Sequence, residues 1–236
     1  MQLFYNPAIT EESKDLIFDK EESRHIFRVL RKKEGDVLNI TNGKGNFFKV
    51  EISLASPKQC IASVISVNKQ ESLPYHLHLA VAPTKLNDRY EWFLEKATEI
   101  GVSEITPIIC DHSERKVIKT ERFEKKIQSA LKQSLKAYVP ILNPAISLKE
   151  FLKQQESATN QKLIAHCEET QKESLKSELQ AKHAVTILIG PEGDFSPNEI
   201  LLAQESGFTS VSLGESRLRT ETAAIVACHS VAFVNE

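Results

Sequence analysis

Residues 186–226 read TILIGPEGDFSPNEILLAQESGFTSVSLGESRLRTETAAIV and contain two apolar, strand-like runs, each followed by a glycine-marked loop. The first run covers residues 185–189 and ends in the loop 190–194, GPEGD. The second covers 211–213 and ends in the loop 214–219, GESRLR. A helix is predicted after each loop, and ligands of open α/β sheets bind beyond the carboxyl ends of strands. The stretch therefore predicts one small-molecule site built from two adjacent strand–loop–helix units.

The chemistry of the first loop supports this geometry. Ser196 and Glu199 form a capping box around Pro197, which favours a sharp helix start. Gly190 and Gly193 allow close backbone approach or a positive φ. Neither loop matches the dinucleotide fingerprint or the P-loop. On residue chemistry alone, ordinary βα turns are an equally good interpretation.

The rest of the chain predicts an α/β protein of two domains within 236 residues. Short strands and one helix over 21–32 predict a compact β-barrel domain in residues 1–72. From residue 73 onward strands alternate with helices, which predicts a mostly parallel sheet in domain 73–236. A weak helical pattern covers 169–180. The last helix is predicted over 220–234 and is apolar nearly all round, so it must be buried in the core or against a partner.

Composition excludes several classes of protein. No window resembles a membrane span or a signal peptide, which predicts a cytoplasmic protein without membrane contact. The four cysteines are widely separated, which predicts buried free thiols rather than a zinc site or disulfides. No metal-ligand cluster is visible, and His76 and His78 are interpreted as structural.

Charge is segregated along the chain although the net charge is only −2. Residues 24–33 contain five basic side chains and no acid, and residues 114–136 contain eight basic side chains and three acids. Such clusters predict a local footprint for a phosphate backbone. Solvated helix faces are the alternative.

Several motifs in order resemble the SPOUT (α/β-knot) RNA methyltransferases of the RsmE type. Besides LIGPEGDFSPNEI and LGESRLRTETAA, these are HIFRVLR at 25–31, KATEIGV at 96–102 and the ER pair at 114–115. The chain departs from the family pattern at Asp194, where a second glycine is usual. It also departs at Ser216 and Arg217, where an arginine and an aliphatic residue are usual.

The resemblance implies an activity and a fold. Members of the family methylate N3 of a uridine in 16S (small-subunit) ribosomal RNA, within an assembled or assembling subunit. They use S-adenosylmethionine, release S-adenosylhomocysteine and need no metal. The implied fold is a C-terminal trefoil-knotted, mostly parallel sheet with an N-terminal PUA-like RNA-binding barrel. The last helix would lie at the two-fold interface of a homodimer.

The resemblance and residue chemistry together predict site residues. The catalytic pair is Arg219, for negative charge on the uracil oxygens, and Glu221, as proton acceptor or simply a first-turn glutamate at the helix dipole. The predicted cofactor-binding residues are His166, Ile189, Gly190, Pro191, Glu192, Gly193, Leu213, Gly214, Leu218 and Thr222. For His166, a structural strand-end histidine is the alternative. The predicted RNA-binding residues are Arg24, His25, Arg28, Arg31 and Arg115.

Two other functions remain open from the sequence. One is a knotted methyltransferase with a different RNA target. The other is a catalytically silent RNA-binding or ribosome-assembly module that has kept a nucleotide-like pocket. Methyl incorporation into RNA would separate the second from an enzyme.

Overall fold

The structure is a computed structural model that describes residues 2–168 and 172–236. It divides into two compact units. The first comprises the described part of Met1–Ser72 together with Leu131–Val139, and the second comprises Leu73–Ala130 and Pro140–Glu236.

The first unit is built on a five-stranded sheet in the order β1-β3-β4-β5-β2. Its strands are β1 (Leu3–Tyr5), β2 (Asp15–Ile17), β3 (Val37–Thr41), β4 (Asn46–Ala55) and β5 (Cys60–Lys69). Strand β1 runs parallel to β3, and the other pairs are antiparallel. Strands β3 and β4 form an antiparallel hairpin, in keeping with the short strands predicted for residues 1–72. Ile26, Ile40, Phe48 and Val50 are fully buried in the core of this unit.

The helix predicted over 21–32 is wrong in its detail. The chain forms a short α1 (Lys20–Arg24) and then a π-helical turn, His25–Val29. The amide of Leu30 donates to the carbonyl of His25 at 3.0 Å, and Arg31 takes a φ of 53°. The extra residue in a π turn shifts the side chains that follow it around the helix. Within this turn Ile26 is buried and Phe27 is exposed.

A later segment completes the first unit. Leu131–Val139 returns to the turn between β3 and β4, where the amide of Gly45 donates to the carbonyl of Ala137 at 2.9 Å. A Cβ at Gly45 would lie 2.4 Å from the Tyr138 hydroxyl oxygen, and φ there is +101°. Only glycine therefore allows this close approach.

The second unit contains an eight-stranded parallel sheet in the order β11-β13-β10-β12-β6-β7-β8, with β9 paired to β7. Its strands are β6 (His76–Val81), β7 (Glu104–Ile109), β8 (Ile141–Leu142), β9 (Ile146–Ser147), β10 (Gln161–Ala165), β11 (Glu173–Ser174), β12 (Ala184–Ile189) and β13 (Thr209–Ser212). All recorded pairs are parallel, as the alternation of elements predicted. Strand β12 is almost entirely apolar and buried, as is typical of a strand inside a parallel sheet.

Helices connect these strands. They are α2 (Asn87–Ile100), α3 (Thr120–Gln133), α4 (Leu148–Gln155), α5 (Leu175–Glu178), α6 (Pro197–Glu205) and α7 (Thr220–Val234). The predicted capping box of α6 is present, with both Ser196 and Glu199 bonded. Helix α7 has the predicted bounds. Its sulfur at Cys228 lies 3.8 Å from the Ala97 carbonyl of α2, whereas Phe233 is 61% exposed, so α7 is buried on one side only.

Three other sequence expectations can be compared with the structure. Of the helix predicted over 169–180, residues 169–171 lie outside the described residues, and the remainder is mostly β11 and α5. The expectation that all cysteines are buried is wrong for Cys167, which follows a strand end and is exposed. His78 is buried, and its Nε2 lies 2.7 Å from the Thr106 hydroxyl, as suits a structural role.

Among the described residues, no helix combines the length and apolar character that crossing a membrane requires.

Candidate functional site

A cavity of about 840 Å³ opens where β10, β12 and β13 end. It is bounded by Ala165, His166 and Cys167 after β10, by the 189–192 segment after β12, and by residues 211–220 leading into α7. All three segments belong to the second unit. The two loops that the sequence analysis paired are therefore adjacent in space, at the edge of the sheet where a small ligand was expected.

Most of the predicted cofactor-binding residues meet in this cavity. Those that line it are His166, Ile189, Gly190, Pro191, Glu192, Leu213, Gly214 and Leu218. Gly193 and Thr222 are not part of the lining formed by the described residues. Cys167, Glu168 and Lys172 line the cavity without having been predicted. Cys167 and Glu168 could have been found by extending the site past the end of β10.

The loop after β12 is fixed by bonds to neighbouring loops. Glu192 Oε1 accepts a 2.9 Å hydrogen bond from the amide of Lys85. His112 Nδ1 lies 3.1 Å and 3.0 Å from the carbonyl oxygens of Gly193 and Asp194, so this nitrogen donates. The Glu192 carboxylate thus has a structural role as well as a place on the cavity wall. Bonds of this kind hold the loop in one shape before a ligand arrives.

The glycines of the two loops are required for different reasons. A Cβ at Gly190 would lie 3.0 Å from a ring carbon of the buried Phe195, so this glycine leaves room for packing. At Gly214, φ is +125°, and a Cβ would meet no heavy atom of the described chain within 4 Å. Backbone conformation alone therefore demands glycine at Gly214.

The structure gives a reason for Asp194, which stands where the family pattern usually has a second glycine. Its φ of 63° lies in the left-handed region, which glycine adopts freely and aspartate tolerates. Its Oδ2 accepts a 2.7 Å hydrogen bond from the amide of Cys167. The carboxylate therefore joins the loop after β12 to the loop after β10, a connection that glycine could not make.

His166 presents an unsatisfied imidazole at the cavity wall. The residue is 7% exposed, and neither ring nitrogen has a hydrogen-bond partner among the described residues. Burial, followed by the nearby Lys172 ammonium, lowers the pKa of His166 below its ordinary value of 6.5. A neutral imidazole can donate through one nitrogen and accept through the other. Because buried polar groups normally have partners, His166 is suited to a polar group of a bound ligand.

The two predicted catalytic residues lie in different environments. Arg219 is exposed, lines the cavity and immediately precedes α7, and Arg217 also lines the cavity. Glu221 is buried and does not belong to the cavity lining that the described residues form. One of its oxygens lies 3.7 Å from Arg89 Nε of α2. This ion pair connects α7 to α2 and gives Glu221 a structural role.

The predicted RNA-binding residues also separate into two groups. In the first unit, Arg24, Arg28 and Arg31 make no side-chain hydrogen bond or ion pair with any described residue. His25 instead lies 3.3 Å from the Gln2 amide nitrogen and packs edge-on against Phe4. Arg115 donates to the carbonyl of Lys85 at 2.7 Å and also to that of Thr84.

Two cations of the second basic stretch pair with carboxylates of α2. Arg122 pairs with Glu91 and lies 3.4 Å from Asp88, and Lys126 lies 3.9 Å from Glu91. These cations are therefore less available to phosphates than the sequence suggested. Within residues 2–168 and 172–236, no group of three or more His, Cys, Asp or Glu side chains is arranged to hold a metal ion.

Comparisons with known proteins agree with this architecture. Residues 71–232 match the family described as RNA methyltransferase domain, and residues 18–65 match the RNA methyltransferase PUA domain. The ribosomal RNA small subunit methyltransferase E of Rickettsia conorii is 32% identical, with 98% of this chain and 94% of the relative covered.

Solved structures resemble the whole chain. A probable rRNA methyltransferase from Porphyromonas gingivalis has a TM-score of 0.91 and 42% identity, covering 100% of this chain and 98% of its own. The ribosomal RNA small subunit methyltransferase E of Neisseria gonorrhoeae, solved with S-adenosyl methionine, has a TM-score of 0.86 and 26% identity, covering 100% and 98%. With its PUA-like first unit and the parallel sheet of its second, the chain belongs to the ribosomal RNA small subunit methyltransferase E family of RNA methyltransferases.

Proposed function

We propose that this protein transfers a methyl group from S-adenosylmethionine to N3 of a uridine in small-subunit ribosomal RNA and releases S-adenosylhomocysteine. The observation that carries the proposal is the cavity at the ends of β10, β12 and β13, with the unsatisfied imidazole of His166 at its wall. Its volume of about 840 Å³ lies in the range of small-molecule sites. Family membership supports the reaction, and the proposal includes a cytoplasmic location, where ribosomal RNA would be the substrate.

The residues of the cavity fit a nucleoside-containing cofactor. Leu213 and Leu218 offer apolar surface for an adenine ring, and the backbone at Ile189 and Gly190 offers polar groups for its edge. The unsatisfied nitrogens of His166 can bond a further polar group. When bound, S-adenosylmethionine supplies a methyl group that is activated by the positive sulfur. The trefoil knot of the family remains part of the proposal.

The protein's own residues contribute to the reaction by aligning the reacting groups and by supplying a positive charge near them. A fixed loop and a shaped cavity hold two reacting groups in line, which can lower the barrier by many kcal/mol. Removal of the N3 proton places negative charge on the uracil oxygens, and the Arg219 guanidinium at the cavity can stabilise it. Glu221, the predicted proton acceptor, is buried with one carboxylate oxygen 3.7 Å from Arg89 Nε, where it joins α7 to α2.

A homodimer through α7 is also part of the proposal. The buried side of α7 faces α2, but Phe233 on α7 and Trp92 on α2 are exposed. Large exposed apolar side chains on packed helices suit an interface with a second copy.

We expect Phe233→Glu to give a folded monomer in analytical ultracentrifugation, because a charge cannot be buried there without a partner. Phe233→Leu is the matched control and should remain a dimer. A Phe233→Glu protein that dimerises as strongly as the wild type would contradict this interface.

Cofactor affinity should depend on the charge of His166. S-adenosylmethionine carries one net positive charge near neutral pH, whereas S-adenosylhomocysteine carries none. Burial lowers the pKa of His166 below its ordinary value of 6.5, so the imidazole is neutral at neutral pH and gains a charge only in acid. We expect calorimetric affinity for S-adenosylmethionine to be constant above neutrality and to fall in acid, with a smaller fall for S-adenosylhomocysteine. In His166→Asn the affinities for the two ligands should depend on pH to the same extent. If S-adenosylmethionine still lost more affinity in acid than S-adenosylhomocysteine, His166 would be excluded as the cause.

The proposal as a whole is tested by two measurements on the same preparation. Titration calorimetry should show binding of S-adenosylmethionine, and incubation with methyl-labelled cofactor and small ribosomal subunits should transfer label to RNA. RNA binding without transfer would identify a non-catalytic module instead. Transfer to another RNA would retain the enzyme class and change the substrate.

A further inference from the structure

The π-helical turn of the first unit creates a distinct surface, which we call the π-turn surface and define as Arg24, Phe27, Arg28, Val29 and Arg31. Ile26 is fully buried and anchors the turn to the core. All five side chains of the π-turn surface are exposed. π-Helical turns are rare and are frequently found at functional sites. The π-turn surface is therefore a candidate binding site.

The charge of the π-turn surface is uncompensated. Its three guanidinium groups have no acidic partner in the described part of the chain. Of the two glutamates on α1, Glu22 lies 3.9 Å from Lys132 of α3, and Glu21 is exposed and forms no ion pair with these arginines. By contrast, Arg122 and Lys126 in the second unit are paired with Glu91. The three unpaired arginines thus form an electrostatic complement to a polyanion.

Apolar side chains lie between these cations. Phe27 is 39% exposed and Val29 is 66% exposed. Aromatic side chains between basic residues are typical of surfaces that stack on bases while arginines hold the backbone. In a duplex the bases already stack on one another, so a base available to Phe27 must be unpaired.

We propose that the π-turn surface binds single-stranded RNA, with one base stacked on Phe27 and phosphates held by Arg24, Arg28 and Arg31. The proposal rests on the proposed function only in taking RNA as the substrate. It gives the first unit a preference for an unpaired segment and assigns Phe27 to base contact. A protein partner is the other candidate for an exposed apolar surface, but three unpaired like charges favour RNA.

The test distinguishes base stacking on Phe27 from phosphate binding by the arginines. Full-length protein is titrated with a fluorescently labelled single-stranded oligouridylate and with an RNA duplex of equal length, each at several salt concentrations. We expect Phe27→Ala to weaken single-strand binding by about 10-fold or more and to leave the salt dependence unchanged, since no phosphate contact is lost. Arg28→Gln should lower the slope of log affinity against log salt by about 0.7.

Matched variants control for folding and for general loss of apolar surface. Leu54 on β4 is also 39% exposed in the same unit, and Leu54→Ala should bind both RNAs as the wild type does. Phe27→Trp should retain single-strand affinity because it keeps an aromatic face. In a Trp92→Phe background, oligouridylate should quench the emission of the tryptophan introduced at residue 27.

Several results would overturn the proposal. These are single-strand affinity unchanged by Phe27→Ala, equal losses for single strand and duplex, or no quenching in Phe27→Trp. Measurements with S-adenosylmethionine keep the two proposals distinguishable. Phe27→Ala should bind the cofactor with wild-type affinity, and a wild-type protein that stacks RNA on Phe27 but transfers no methyl group would refute only the proposed function.

Discussion

Arg219→Ala is expected to slow methyl transfer by about 100-fold or more while changing the affinity for S-adenosylmethionine little. Arg219 lines the cavity at the start of α7, and no side-chain partner within the described residues holds its guanidinium. The negative charge on the uracil oxygens develops as N3 loses its proton. A cation at that position therefore stabilises the transition state more than the ground state. Single-turnover rates and calorimetry measure the two effects separately.

Arg217 provides the matched control for this prediction. It is also exposed and lines the same cavity, and it stands where the family pattern has an aliphatic residue. We expect Arg217→Ala to retain most of the rate. Equal rate losses in both variants would indicate a general electrostatic effect. A loss of cofactor affinity in Arg219→Ala that matches its rate loss would contradict the catalytic assignment.

Gly214→Val should weaken cofactor binding on the order of 10-fold or more, because the loop between β13 and α7 must leave its conformation. A branched residue cannot take the φ of +125° at Gly214 without strain, although a Cβ would have open space. Gly207 offers an unusually close control. Its φ is +87°, its Cβ position is equally open in the described structure, and it lies outside the cavity lining.

The two glycine variants share the strain but differ in location. Thermal unfolding should show similar destabilisation of Gly207→Val and Gly214→Val, whereas titration with S-adenosylmethionine should show weakening only in Gly214→Val. Equal affinities in the two variants would contradict the placement of the cofactor against this loop. Gly190→Val is a poorer test, because its side chain would collide with the ring of Phe195 and disturb the core.

Local patterns in the sequence determined much of this fold in advance. The capping box of Ser196 and Glu199 and the bounds of α7 involve only neighbouring residues, so periodicity and capping rules predicted them. Alternation of strands and helices predicted the parallel sheet, and the rule for its carboxyl ends predicted where the cavity opens.

Features that depend on distant contacts could not be predicted in this way. The structural role of Glu221 requires Arg89 of another helix, and Gly190 is needed because Phe195 packs on it. Pairing of Arg122 with Glu91 removed charge that the sequence alone left free. The residues of the π turn after Arg24 are ones that an ordinary amphipathic α-helix also contains, so the sequence did not distinguish the two kinds of helix. In each case a residue far away, or the packing of the core, decides what the local pattern leaves open.

The central claim is that the cavity directs a methyl group to N3 of a uridine in small-subunit RNA. Its most direct test is incubation of the protein with methyl-labelled S-adenosylmethionine and small ribosomal subunits that lack the modification. The RNA is then digested and its nucleosides are separated by chromatography with mass detection. We predict label in 3-methyluridine, with strong reduction in Arg219→Ala. Label in a different nucleoside, or none while cofactor and RNA both bind, would contradict the claim.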